Sequence, residues 1–241
     1  KLNTDGSGYT VVHEFNDPTD GSEPYGTLRL GPDGKFYGMT YAGGENGCGT
    51  LFSFDPNENS FAVVRHFAES DGYNPDGSVT IGSDGTIYGL LDYDYGSVYK
   101  INPNGTGFTV LHPFDDVPDG YCPYMATLTL ADDGRLYGTT IWGGTNDSGT
   151  IFSLNTDGTD YQILYNFGVA PESGEYPTGG LTYNNGLLYG TTRAGGSEGG
   201  GIIFSFPTFG LIEDTIGANY TEIPKLADLD PSEVTNLTDQ L

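Results

Sequence analysis

The sequence predicts an all-β fold: a β-propeller of four blades, each with four antiparallel strands, the last blade closed by the N-terminal strand. Three observations carry this. A Tyr-Gly motif recurs at Tyr37, Tyr88, Tyr137 and Tyr189, at spacings of 51, 49 and 52 residues, the period of propeller blades or repeat arrays. Each copy carries short apolar runs joined by Asp-Gly or Asn-Gly turns, which supply the positive φ angles of tight hairpins. The 241 residues include 39 Gly and 14 Pro, a composition suited to turns rather than helices.

In chain order, Lys1–Phe15 reads as the second half of a repeat. Lys1-Leu2-Asn3 aligns with Lys100-Ile101-Asn102, and Tyr9–Phe15 aligns with Phe108–Phe114. A connector follows at 16–26. Its end, Asp20-Gly-Ser-Glu-Pro24, recurs around Pro75, Pro123 and Pro177, where proline stiffens the turn and blocks strand pairing. Blades one, two and three span 27–67, 78–114 and 127–167. Each opens with a short strand (Thr27–Leu30, Ser78–Ile81, Thr127–Leu130), then an Asp-Gly turn, the Tyr-Gly strand, a Gly-Gly loop and a third strand such as Leu51–Phe54 or Ile151–Leu154. The fourth strand ends in Phe67, Phe114 or Phe167. Four short strands per repeat is a propeller blade.

Blade two departs from the pattern: its loop, Leu91–Gly96, is short and lacks the Gly-Gly pair. The fourth unit, 180–206, has three clear strands, and Tyr9–Phe15 is expected to supply its fourth, since closure removes exposed edges. A competing segment is Thr215–Ile223, which resembles Thr156–Leu164. If it completes the blade, Tyr9–Phe15 is surplus and pairs with a neighbouring subunit. The propeller thus occupies 1–210, and 211–241 is a tail or linker, with a short helix capped by Asp230 and Pro231 as one reading. A start at Lys1 rather than Met suggests a processed or excised segment.

The net charge is −25, with eight Lys plus Arg. Phosphate binding needs clustered cations, so nucleic acid and anionic membranes are poor partners. No run of 18 apolar residues predicts a transmembrane helix.

The recurring Leu-Tyr-Gly-Thr-Thr … Gly-Gly … Gly-Thr-Ile-Phe-Ser-Leu pattern is clearest at 134–154, good at 34–54 and 186–206, and poor at 85–101. It resembles the Gloeo/Verruco (GloVer) tandem repeat across roughly residues 1–210. The resemblance implies a secreted or surface protein and carries no established functional residues.

Chemical motifs are sparse. His13 and His112 share a repeat position with Arg65 and Tyr165, which marks a strand face rather than a catalytic base, and His66 falls on the opposite face. No Gly-x-Ser-x-Gly, His-Glu-x-x-His or phosphate loop is present, so no catalytic residue is assigned and no metal site of histidine ligands is expected. Acidic turns at Asp5, Asp55–Asn57 and Asp157–Asp160 offer alternating oxygens, a weak Ca²⁺ signal that hairpin chemistry explains better. Cys48 and Cys122 lie in different repeats, either bonded or free. Asn104, Asn146, Asn219 and Asn236 match the glycosylation sequon.

The candidate recognition surface is the Gly-Gly loop, whose variable positions in the four copies include Tyr41, Asp92, Tyr93, Trp142 and Arg193. An exposed aromatic beside polar groups suits a sugar ring or a protein partner, whereas Trp142 and Tyr41 packed between blades would be structural. The expected function is a non-enzymatic, extracellular structural or adhesive module within a surface assembly, with other protein subunits as partners. The alternative is a glycan-binding propeller, and a carbohydrate-active enzyme comes third.

Overall fold

The structure is a computed structural model that describes residues 4–115 and 119–208. The tail from 209, with Asn219, Asn236 and Thr215–Ile223, lies outside the described residues. So does the whole of the expected tail or linker, 211–241. Four four-stranded antiparallel sheets follow one another along the chain. The first contains β1 (Arg29–Leu30), β2 (Phe36–Thr40), β3 (Thr50–Asp55) and β4 (Ser60–His66). The second contains β5 (Thr80–Ile81), β6 (Ile87–Leu91), β7 (Ser97–Ile101) and β8 (Thr109–Pro113). The third contains β9 (Thr129–Leu130), β10 (Arg135–Thr140), β11 (Thr150–Asn155) and β12 (Gln162–Asn166). The fourth contains β13 (Glu175–Pro177), β14 (Thr182–Asn184), β15 (Leu187–Ala194) and β16 (Ile203–Pro207). The expected propeller-blade architecture is present, and among the described residues helix is confined to single turns such as Asp17–Asp20.

The Tyr-Gly motif is explained by register. In each sheet its glycine sits opposite an aromatic of the third strand: Gly38↔Phe52, Gly89↔Tyr99, Gly138↔Phe152 and Gly190↔Phe204. A Cβ on Gly138 would come 2.5 Å from the Phe152 ring, and one on Gly190 would come 2.4 Å from Phe204. The glycine lets the ring lie flat across the strand. The tyrosine beside it points to the other face, where Tyr37 and Tyr137 each donate to the turn carboxylate four residues back, Asp33 at 2.7 Å and Asp133 at 2.6 Å.

The apolar core is divided into three clusters, one at each junction between successive blades. The first joins Tyr37, Met39, Leu51 and Phe67 to Val79, Tyr99 and Ile101. The second joins Tyr88, Val98 and Phe114 to Leu128, Phe152 and Leu154. The third joins Tyr137, Ile151 and Phe167 to Leu181, Leu188 and Phe206. Each blade therefore buries a trailing face, made by its Tyr-Gly and third strands, against the leading face of the next. Backbone and hydroxyl bonds near the axis follow the same order: Thr27 N–H donates to Ser78 Oγ, Ser78 N–H to Thr127 Oγ1, and Thr129 Oγ1 to the Leu181 carbonyl.

The shared His/Arg/Tyr position is a junction device. Arg65 grips Asp71 with two nitrogens and lies 3.9 Å above the Phe108 ring of the next blade. His112 stacks on Tyr161 at 3.6 Å with its Nε2 3.3 Å from Asp119. His13 stacks on Phe61 at 3.6 Å and meets Asp20 at 2.9 Å. A half-buried, stacked histidine of this kind is packing material.

One expectation is corrected. Tyr9–Phe15 forms no strand ladder and does not close the fourth sheet. The fourth member of that sheet is β13, a connector segment that pairs with the far end of the eight-residue β15. The N-terminal segment is held instead on blade one, through His13 on Phe61 and Phe15 on Phe52. Its turn still has repeat geometry: Asp5 Oδ1 accepts from Ser7 N–H and Oγ as Asp157 Oδ1 does from Thr159.

Candidate functional site

One end of the molecule is built from the Gly-Gly loops and the inter-blade connectors. Thr40 and Thr50 clasp the base of the first loop with hydroxyls 3.0 Å apart, and Thr140 and Thr150 clasp the third at 2.8 Å. The connector crosses directly over the loop. A Cβ on Gly143 would sit 2.5 Å from Gly120 Cα, and one on Gly195 would sit 2.6 Å from Gly174 Cα, so the Gly-Gly pair is required by close backbone approach. Connector and loop then exchange hydrogen bonds, as Tyr121 N–H with the Trp142 carbonyl and Tyr41 N–H with the Glu23 carbonyl. Blade two has Leu91 and Ser97 at the clasp positions, and its shorter loop donates Asp92 and Tyr93 N–H to the Tyr73 carbonyl.

This geometry decides where the predicted residues point. Tyr41 is half-buried against Tyr25 at 5.6 Å. Tyr93 is exposed on its outer side and stacks on Tyr73 at 3.5 Å. Trp142 is half-buried and leans on Tyr176 of the next connector at 4.7 Å, so it packs between blades rather than standing free. Arg193 is exposed on β15. The loops thus build a rim of aromatic pairs, each made by a loop residue and a connector residue. The five predicted residues do not converge on one point.

Asp92 turns inward. Its Oδ1 is buried and accepts no hydrogen bond among the described residues. Burial raises its carboxyl to about 6, only partly offset by the Cys122 thiol. Burial and the Asp92 carboxylate push that thiol up to about 12, so Cys122 stays protonated and is a poor nucleophile. Asp76, 4% exposed, accepts from Met125 N–H at 2.9 Å, and burial raises it to about 7. Cys48 is buried at a different junction, with its thiol raised by burial and by Glu69 and Asp71. Both cysteines are free, so the disulfide alternative is not taken.

The first strands and connectors form an open cleft of about 360 Å³ lined by Tyr25, Arg29, Asp76, Met125 and Thr182 together with Gly26, Gly77 and Gly180. Sequence reasoning missed Tyr25, Asp76 and Met125. A signal was available: they follow the recurring connector prolines Pro24, Pro75 and Pro123, where the repeat changes residue type from copy to copy. Tyr25 and Tyr124 are exposed.

The acidic turns are self-satisfied: Asp157 bonds Thr159, and Asp84 bonds Thr86. Among the described residues, no three His, Cys, Asp or Glu side chains form a metal-ligand group. Of the two described sequons, Asn104 accepts from Thr106 within its turn, and Asn146 donates to the Phe167 carbonyl. No described helix is long and apolar enough to cross a membrane.

Among solved structures, the fold is similar to TolB from Acinetobacter baumannii, with a TM-score of 0.52 and 15% identity over 86% of this chain and 48% of that one. A Mycobacterium tuberculosis puromycin-hydrolyzing peptidase gives a TM-score of 0.53 and 12% identity over 78% of this chain and 28% of that one. The chain thus spans about half of the first and less of the second, and the likeness is one of fold. No curated protein matches by sequence. The Gloeobacter/Verrucomicrobia repeat model matches residues 1–94 and again 91–221. With the Tyr-Gly register and the Gly-Gly loops accounted for, the chain belongs to the Gloeobacter/Verrucomicrobia repeat family.

Proposed function

We propose that this chain is a non-catalytic, extracellular structural or adhesive module whose loop face contacts another protein. The observation that carries the reading is the make-up of that face. It is a rim of aromatic pairs on fixed backbone, with Tyr25, Tyr93, Tyr124 and Met125 exposed, and such rings are efficient contact groups. Three groups that could act chemically have structural roles. The histidine at 112 is half-buried and stacked on Tyr161, the half-buried thiol at 122 is held protonated, and Asp76 is bonded to backbone. A net charge of −25 favours solubility and a cationic rather than anionic partner surface.

A second reading is supported by Tyr25, whose hydroxyl donates to Glu23 at 2.6 Å on the exposed rim. A ring face beside a carboxylate can stack on a sugar and bond its hydroxyls. A glycan array, followed by product analysis of any glycan retained, separates the readings. A blank array supports the protein-binding reading. Retention that disappears in Tyr25→Ala moves the assignment to lectin, and turnover of a retained glycan sinks the non-catalytic claim. Detection of the native chain on intact cells by added protease tests the extracellular placement.

A further inference from the structure

The open cleft among the first strands is a meeting of equivalent repeat positions. With the blades aligned on Leu28, Val79, Leu128 and Leu181, the preceding residue is Thr27, Ser78, Thr127 or Gly180, and all four line the cleft. The following residue is a threonine in three blades, Thr80, Thr129 and Thr182, and Arg29 in blade one. Three residues earlier stand Tyr25, Asp76, Met125 and Thr178. Repetition alone would line such a place with small neutral groups. Arg29 and Asp76 are the only charges at these positions, each occurs in one copy, and both line the same cleft.

Neither charge is explained by the packing of its blade. Thr80 and Thr129 donate their hydroxyls to the Leu128 and Leu181 carbonyls of the next blade. Arg29 replaces that hydroxyl, is exposed, and forms no ion pair among the described residues. Asp76 is 4% exposed and accepts from Met125 N–H at 2.9 Å. Among the described residues no cation pairs with it either, and burial raises its carboxyl to about 7. A buried carboxylate without a counter-charge is costly, and a cation reaching it through the cleft favours its ionised form.

The walls are fixed by backbone. Thr27 N–H donates to Ser78 Oγ at 2.7 Å, and Ser78 N–H to Thr127 Oγ1 at 3.1 Å. A Cβ on Gly26 would run into the Gly77 carbonyl, and one on Gly77 into the Ala126 carbonyl. Arg29 and Asp76 stand four repeat positions apart, about 13 Å along an extended chain, and do not pair with each other. The volume of about 360 Å³ lies at the lower end of the range for small-ligand sites, about 300–1,000 Å³.

We propose that this cleft binds a small zwitterion of dipeptide size, with its ammonium group on Asp76 and its carboxylate on Arg29. A guanidinium holds a carboxylate through two parallel N–H bonds, and the ammonium donates to the Asp76 oxygens. The offset between the two charges selects a ligand with charged ends over a free amino acid, whose charges share one carbon. Tyr25 and Met125 line the same cleft and are exposed, which gives the ligand side chains apolar contact. The proposal does not rest on what the loop face contacts, and its test needs no protein or glycan partner.

Calorimetric titration of the full chain at pH 7 with Ala-Ala and a panel of other dipeptides tests it. Saturable one-to-one binding is expected. Acetylating the amino end or amidating the carboxyl end should each weaken it about 10-fold or more, the loss of one charge-assisted contact. Arg29→Gln should weaken the free dipeptide by a similar factor and abolish the penalty of amidation. Asp76→Asn, which keeps an oxygen for Met125 N–H, should do the same for acetylation. Circular dichroism of both variants should match the parent, and Arg29→Gln changes only an exposed side chain. Any of three results overturns the proposal. One is the absence of saturable binding by every dipeptide up to about 10 mM. Another is a blocked end that binds as tightly as the free one. The last is a blocking penalty that survives in the matching variant, which places the ligand elsewhere.

Discussion

Blade three and blade four carry the same trailing face, and among the described residues only blade three has it covered. Tyr137, Thr139, Ile151 and Ser153 are buried by blade four, whereas Tyr189, Thr191, Ile203 and Ser205 face outward. The local chemistry is nearly identical: the same Tyr-Gly strand, the same register to an aromatic, the same Gly-rich loop. What differs is the neighbour. In a repeat protein, stability lies in interfaces between units as much as within them, so the same side chain has a different energetic role at each place in the series.

The sharpest way to break this comparison is to remove equivalent side chains. Ile151→Ala should cost about 3 kcal/mol, since it opens a cavity in a sealed junction. Ile203→Ala should cost under about 0.5 kcal/mol in dilute protein, where no partner covers it. Urea unfolding of both variants reads the difference. Equal costs would mean that blade four is already covered in the single chain.

A second comparison sets the junctions against the loop face. Asp76 is buried near the axis with its carboxyl raised to about 7. The folded chain therefore holds a proton that the unfolded chain, with its carboxyl near 3.8, gives up. Bound protons are then more numerous in the folded state between about pH 4 and 7, and stability from this group falls as pH rises through that window. The full shift corresponds to on the order of 4 kcal/mol. Asp76→Asn keeps an oxygen for Met125 N–H and removes the titration. It should raise stability above pH 7 by up to about that amount and leave stability below pH 4 nearly unchanged. Parallel thermal melts at pH 4 and pH 8 check it. An equal change at both pH values would mean that Asp76 acts through packing alone.

The fold was largely legible because its causes are local and repeated. The turns at Asp33-Gly34 and Asp133-Gly134, the glycine opposite Phe52 and Phe152, and the alternation in β10 and β11 are each carried by adjacent residues. The closure of the last blade was not legible, because Tyr9–Phe15 matches the repeat wherever its partner comes from, and matching residues do not say which third strand is near. The loop face was legible in position but not in orientation. Trp142 is aimed by Tyr176, more than 30 residues away, and Asp92 turns inward toward Cys122 of the next connector. Asp76 was missed because Asp-Gly reads as a turn, although here it lines the axial cleft.

The smallest contrast tests whether the tyrosine hydroxyls belong to the blades or to the junctions. Tyr137 donates to Asp133 at 2.6 Å, and Tyr37 makes the same bond to Asp33. In blade four the turn residue equivalent to those acids is Asn185, and the ring of Tyr189 is partly exposed. Tyr137→Phe should therefore cost about 1 kcal/mol, the net worth of one hydrogen bond whose carboxylate can return to water. Tyr189→Phe should be neutral within about 0.3 kcal/mol in the single chain. The same denaturation series resolves both. If Tyr189→Phe proves as costly as Tyr137→Phe, the hydroxyl is held by the blade itself and not by the junction.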